Sequence, residues 1–154
     1  MVSLNVFKVN IPNDQKNAES LRESSSTLNS DYKNIMIVDE EPDILNLFSD
    51  YLQMKGFNVR TFEDPIQALS EIKLNHTSYD VLISDIRMPQ MTGIELVKMV
   101  NKIDSKIKVI FMTAFDLKND NIEQIEKAEF LTKPVKLDNL KESIIRILES
   151  QGQN

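Results

Sequence analysis

The stretch DVLISDIRMPQMTGIEL, Asp80–Leu96, decides the fold. VLIS (Val81–Ser84) is a short, largely apolar run bounded by acids, the pattern of a strand buried on both faces. Asp85 follows at once, and Thr92-Gly93 then leads into a helix carrying Ile94, Leu96, Val97 and Val100. A buried strand that ends in an acid and turns into an amphipathic helix is one unit of a parallel α/β sheet.

The same unit recurs on both sides. IMIV (Ile35–Val38) is a second buried strand, and Pro42 opens a helix through Ile44, Leu45, Phe48 and Leu52 that Gly56 stops. FNVRTF (Phe57–Phe62) is the next strand, and Asp64-Pro65 caps a helix through Ile66, Leu69 and Ile72. IKVIFM (Ile107–Met112) is the fourth strand, followed by a poorer helix over Asp116–Lys127. Glu129–Leu131 forms a short fifth strand. Asp138 caps a last helix with Leu140, Ile144, Ile145 and Leu148 on one face. Five strands alternating with five helices predict right-handed crossovers and a sheet covered on both sides.

Outside this frame the chain changes character. Asn13–Asp31 is rich in Ser, Asn and charge, too polar to offset its ordering entropy, so residues 1–33 are expected to be a disordered tail. Residues 34–150 are expected to be one domain and 151–154 a C-terminal tail. The tail holds four basic and four acidic side chains, so the net charge of −6 falls on the domain. That balance disfavours nucleic acid, whose binding rests on neutralising phosphates with Lys and Arg. With no cysteine there is no disulfide framework, thiolate site or cysteine nucleophile. No run is long enough to span a bilayer, and the N-terminus lacks the pattern of a signal peptide, so a cytoplasmic protein without membrane insertion is expected.

In open parallel sheets, ligands sit outside the carboxyl ends of the strands. There the sequence places Asp39, Glu40 and Glu41 after the first strand, Asp85 after the third, Thr113 after the fourth and Lys133-Pro134 after the fifth. Two carboxylates about 4 Å apart repel by ~4 kcal/mol at an effective dielectric near 20. Converging acids therefore either take up protons or recruit a cation. Oxygen-only ligation by few protein groups suits Mg²⁺, which shares its shell readily with phosphate. The sole histidine, His76, lies in the loop before the third strand, away from this edge. A carboxylate attacking a phosphoryl group needs its charge offset, which Mg²⁺ and the Lys133 ammonium would do, with the Thr113 hydroxyl on a phosphoryl oxygen. No glycine-rich phosphate loop is present, so ATP is not expected as the direct donor.

Taken in order, IMIVDEEPDI, DVLISDIRMPQMTGIEL, VIFMTAF and FLTKPV resemble the receiver domain of two-component response regulators, the CheY-like family. The resemblance covers about residues 34–150. It implies a flavodoxin-like, doubly wound sheet in the order 2-1-3-4-5. Asp85 corresponds to the phosphoacceptor. Glu40 and Asp85, with the backbone carbonyl of Arg87, correspond to direct Mg²⁺ ligands, and Asp39 to a metal-site acid that often acts through water. Thr113 and Lys133 correspond to the switch hydroxyl and the phosphoryl-pairing lysine, and Phe130 to the aromatic that reports the active state. Pro134 corresponds to a cis-proline.

The stretch between Thr113 and Lys133 is shorter than the family norm and lacks the usual glycine before the fifth strand. Only four residues follow the last expected helix, so the expectation is a stand-alone receiver. It would be phosphorylated by a sensor histidine kinase or a histidine phosphotransfer protein, and would switch its affinity for a downstream protein. Two other readings are an interaction module with a vestigial site and an aspartyl-nucleophile phosphatase. Such phosphatases commonly need an acid two residues beyond the nucleophile, where this chain has Arg87.

Overall fold

The computed structural model describes residues 32–114, 125 and 127–150. In chain order these form β1 (Asn34–Val38), α1 (Pro42–Met54), β2 (Asn58–Phe62), α2 (Pro65–Asn75), a 3₁₀ turn (His76–Ser78) and β3 (Val81–Asp85). Then come α3 (Gly93–Ile103), β4 (Lys108–Thr113), β5 (Glu129–Thr132) and α4 (Leu137–Glu149). The five strands are parallel, in the order β2-β1-β3-β4-β5, as the resemblance implied. The expected disordered tail, apart from Tyr32 and Lys33, and most of the helix expected over Asp116–Lys127 lie outside the described residues.

Successive side chains on a strand point to opposite faces, which gives the sheet two cores. Ile35, Ile37, Val81, Ile83, Ile110 and Met112 face α1 and α4, where Leu45, Phe48, Leu52, Leu140, Ile144 and Ile147 meet them. Met36, Val38, Leu82, Val109 and Phe111 face α2 and α3, packing on Ala68, Leu69, Ile72, Leu96, Val97 and Val100. Full burial of each large aliphatic side chain stabilises by about 1.5–3 kcal/mol.

Local chemistry sets the helix ends. Asp64 caps α2 by accepting the Ile66 amide at 2.8 Å. Thr92 and Glu95 form a reciprocal capping box at the start of α3. Gly56 ends α1 with φ of 92°, a conformation that favours glycine.

Two expectations for α4 are corrected. Its N-cap is Lys136, and Asp138 lies inside the first turn, where it accepts the Tyr51 hydroxyl of α1 at 2.9 Å. Its buried face runs through Leu140, Ile144 and Ile147, while Ile145 is exposed, because the helical period carries the face from Ile144 to Ile147 rather than to its neighbour. Ile66 of α2 is likewise exposed, with Ala68 taking the core position.

Candidate functional site

Parallel register brings the strand ends level. Val38 pairs with Ser84, so Asp39 and Asp85 emerge side by side from β1 and β3. Asp85 is the last residue of β3 and Thr113 the last of β4, so each strand ends one position later than the sequence pattern placed it. The ladder continues past β5, where the Lys133 amide donates to the Thr113 carbonyl at 2.7 Å. Asp39, Asp85 and Lys133 continue the alternation that puts Ile37, Ile83 and Leu131 on the α1/α4 face.

The Lys133 ammonium stands between the two acids. Its Nζ donates to Oδ2 of Asp39 and to Oδ2 of Asp85, each at 2.9 Å. Asp39 is fully buried and Asp85 nearly so. The remaining oxygens are also engaged: Oδ1 of Asp39 accepts the Glu41 amide at 3.0 Å, and Oδ1 of Asp85 accepts the Arg87 amide at 3.3 Å. Burial alone would lower the Lys133 pKa, but hydrogen bonds and charge attraction from Asp39 and Asp85 outweigh it and raise the value. Lys133 is therefore a firmly held cation. The peptide bond that follows it, to Pro134, is cis.

Of the acids expected at this edge, Asp39 and Asp85 meet at Lys133. Glu40 is exposed, and no cluster of three or more His, Cys, Asp or Glu side chains gathers among the described residues. Lys133 supplies a cation between the two buried acids. Two carboxylates against one ammonium still leave one negative charge. That oxygen-only pair fits a hard divalent cation such as Mg²⁺.

Thr113 is buried beside this group. Phe130, half-buried on β5, stacks on the fully buried Phe111 with ring centroids 5.4 Å apart and planes 20° apart. His76 lies elsewhere, its Nδ1 3.1 Å from Oδ2 of Asp104 after α3, so it takes no part in the site.

Two residues beneath Asp85 escaped the sequence reading. The fully buried Ser84 hydroxyl donates to the Asp85 carbonyl at 2.9 Å. Gly93 sits so close that a Cβ there would lie 2.1 Å from that same carbonyl oxygen. A glycine directly after a good N-cap, at a position that does not call for one, was the available signal.

Comparison with known proteins agrees with the fold. A family model for the response regulator receiver domain matches residues 35–145. The chain is 33% identical over 120 residues to the transcriptional regulatory protein GlrR of Escherichia coli, covering 77% of this chain and 27% of that protein. It is 31% identical over 112 residues to the sensor histidine kinase RcsC of Escherichia coli, covering 71% of this chain and 12% of that one. It thus spans about a quarter or less of the length of these relatives. Among solved structures, a response regulator receiver domain protein from Clostridium thermocellum superposes with a TM-score of 0.71 at 30% identity, covering 77% of this chain and 96% of that one.

Proposed function

This chain belongs to the response regulator receiver domain family, and from that premise we propose that it is a phosphorylation-operated signalling switch, with residues 34–150 as the receiver and Asp85 as the phosphoacceptor. The observation that carries the reading is the Lys133 ammonium, 2.9 Å from carboxylate oxygens of both Asp39 and Asp85 at the carboxyl edge of the sheet.

In the proposed reaction a carboxylate oxygen of Asp85 attacks the phosphorus of a phosphohistidine on a sensor kinase or phosphotransfer protein. The new bond is Asp85 O–P. The P–N bond breaks, and the imidazole nitrogen keeps its electron pair. Lys133 pairs with the transferred phosphoryl oxygens, and the Thr113 hydroxyl donates to one of them. Asp39, Glu40, Asp85 and the Arg87 carbonyl are the groups that would hold Mg²⁺, which when bound neutralises charge on the transferring phosphoryl group. The added phosphoryl group carries about −1.5 to −2 charges. Drawing Lys133 and Thr113 toward it would disturb the Thr113–Lys133 ladder contact and the Phe111–Phe130 stack behind it.

The output of the switch is altered affinity for a downstream protein, with no direct nucleic-acid contact, in the cytoplasm. Among the described residues no helix is long and apolar enough to cross a membrane. Phosphatase chemistry is disfavoured because Arg87, not an acid, occupies the position expected of the leaving-group proton donor.

Amide NMR spectra with Mg²⁺, before and after addition of acetyl phosphate, test the switch. Shifts at Thr113, Phe130 and Lys133 as well as at Asp85 are expected. Shifts confined to the residues flanking Asp85 would overturn the switching role and leave only a modification site.

A further inference from the structure

We infer that Ser84 and Gly93 are positioning residues for the metal site: they clamp the Asp85 carbonyl and the base of the following loop, and so fix the backbone carbonyl of Arg87. The inference rests on the proposed role of that carbonyl as a Mg²⁺ ligand.

The backbone from Asp85 to Arg87 is held at each successive polar group. The Asp85 carbonyl accepts the buried Ser84 hydroxyl at 2.9 Å. The Ile86 amide donates to the Met112 carbonyl of β4 at 3.1 Å, and the Ile86 carbonyl accepts the Gly93 amide at 2.8 Å. The Arg87 amide donates to the Asp85 carboxylate at 3.3 Å. The Arg87 carbonyl is the next group in this series.

Gly93 makes the arrangement possible through space rather than torsion, since among the described residues Gly56 alone is a glycine with positive φ. A methyl group on Gly93 would lie 2.1 Å from the Asp85 oxygen, 2.9 Å from Ser84 Oγ and 3.0 Å from the Asp85 carbonyl carbon. Two of these three atoms are backbone, so either α3 or the Asp85–Ile86 peptide must move. Either shift stretches the 2.8 Å bond from the Gly93 amide to the Ile86 carbonyl. Helix capping gives no reason for glycine here, because Thr92 already caps α3.

Mg²⁺ alone, titrated into the full-length protein and followed by amide NMR, supplies the test. Loss of a group that orients a metal ligand typically weakens metal binding about 10–100-fold. Ser84→Ala and Gly93→Ala are each expected to raise the Mg²⁺ Kd by about tenfold or more. Ile147→Val, a core change at the far end of α4, destabilises the fold without touching this loop and is expected to keep the wild-type Kd. Wild-type Kd values in Ser84→Ala and Gly93→Ala would overturn the inference while leaving the metal site standing. Should Gly93→Ala fail to fold, Ser84→Ala decides alone. Absence of Mg²⁺ binding by the wild type would overturn the functional reading itself, and this inference with it.

Discussion

Lys133 Nζ lies 2.9 Å from Oδ2 of Asp85, a residue 48 positions earlier in the chain. The same nitrogen is 2.9 Å from Asp39, 94 positions away, so one ammonium ties the ends of β1, β3 and β5 together. The contact is a structural tie, and Lys133 is the cation that a phosphoryl group would take over in the proposed reaction.

Replacing Lys133 with Met leaves two adjacent buried carboxylates without a counter-ion. Breaking a buried pair costs roughly 3–5 kcal/mol, and partial exposure of the lysine reduces the expected loss to about 2–3 kcal/mol. Urea denaturation at neutral pH reads it. Millimolar Mg²⁺ should restore part of the stability, since a ligand that binds only the folded state stabilises it by mass action. A variant indifferent to Mg²⁺ would mean that these acids do not hold the metal.

Alkaline pH should weaken the fold in two overlapping stages. Burial pushes the Tyr79 phenol up to about 12, assisted by its 2.8 Å hydrogen bond to Glu71. Lys133 is also raised above its ordinary value of 10.5. A group with a raised folded-state pKa contributes stability that is whole below its unfolded value and fades as pH climbs through the folded one. Stability should therefore fall from about pH 10 upward. Tyr79→Phe should cost about 1 kcal/mol at pH 7 and flatten the decline between pH 10 and 12. An unchanged alkaline limb in that variant would contradict the assignment.

How much of this was legible in the sequence depended on the range of the interaction. Runs such as Ile35–Val38, followed by helical spacing, encode buried strands and crossovers locally, and the strand-end positions of Asp39, Asp85, Thr113 and Lys133 follow directly. That Lys133 reaches both Asp39 and Asp85 depends on register across three strands. The Tyr51–Asp138 bond and the bidentate pairing of Arg146 with Glu129 are likewise tertiary, and no local pattern announces them. Ser84 is simply part of the run Val81–Ser84 in the sequence; its bond to the Asp85 carbonyl and the close approach of Gly93 appear only in three dimensions.

The missing glycine before β5 has a structural counterpart. Lys127 adopts φ of 74°, a left-handed conformation that disfavours side chains bearing Cβ. The left-handed region costs roughly 1 kcal/mol for such a residue, offset in part by the greater entropy of an unfolded glycine. Lys127→Gly should accordingly stabilise the protein by about 0.5 kcal/mol, visible as a higher Tm. Destabilisation would mean that the Lys127 side chain contributes more than its backbone strain costs.

The capping box at α3 offers an independent check on the loop beneath the site. Thr92→Ala removes the acceptor of the Glu95 amide and should cost about 1 kcal/mol by denaturation. Because the Thr92 side chain acts on the helix end, Mg²⁺ affinity should change much less than in Ser84→Ala. Equal losses of affinity in the two variants would make the helix end, rather than the Asp85 carbonyl, the controlling element.

Whether Asp85 accepts the phosphoryl group can be read by intact mass spectrometry. Wild-type protein and Asp85→Asn are each incubated with Mg²⁺ and acetyl phosphate, with and without EDTA. One added phosphoryl group is expected on the wild type, none on Asp85→Asn and none in EDTA. An adduct of equal yield on Asp85→Asn, or one that persists undiminished in EDTA, would show that Asp85 is not a metal-dependent acceptor.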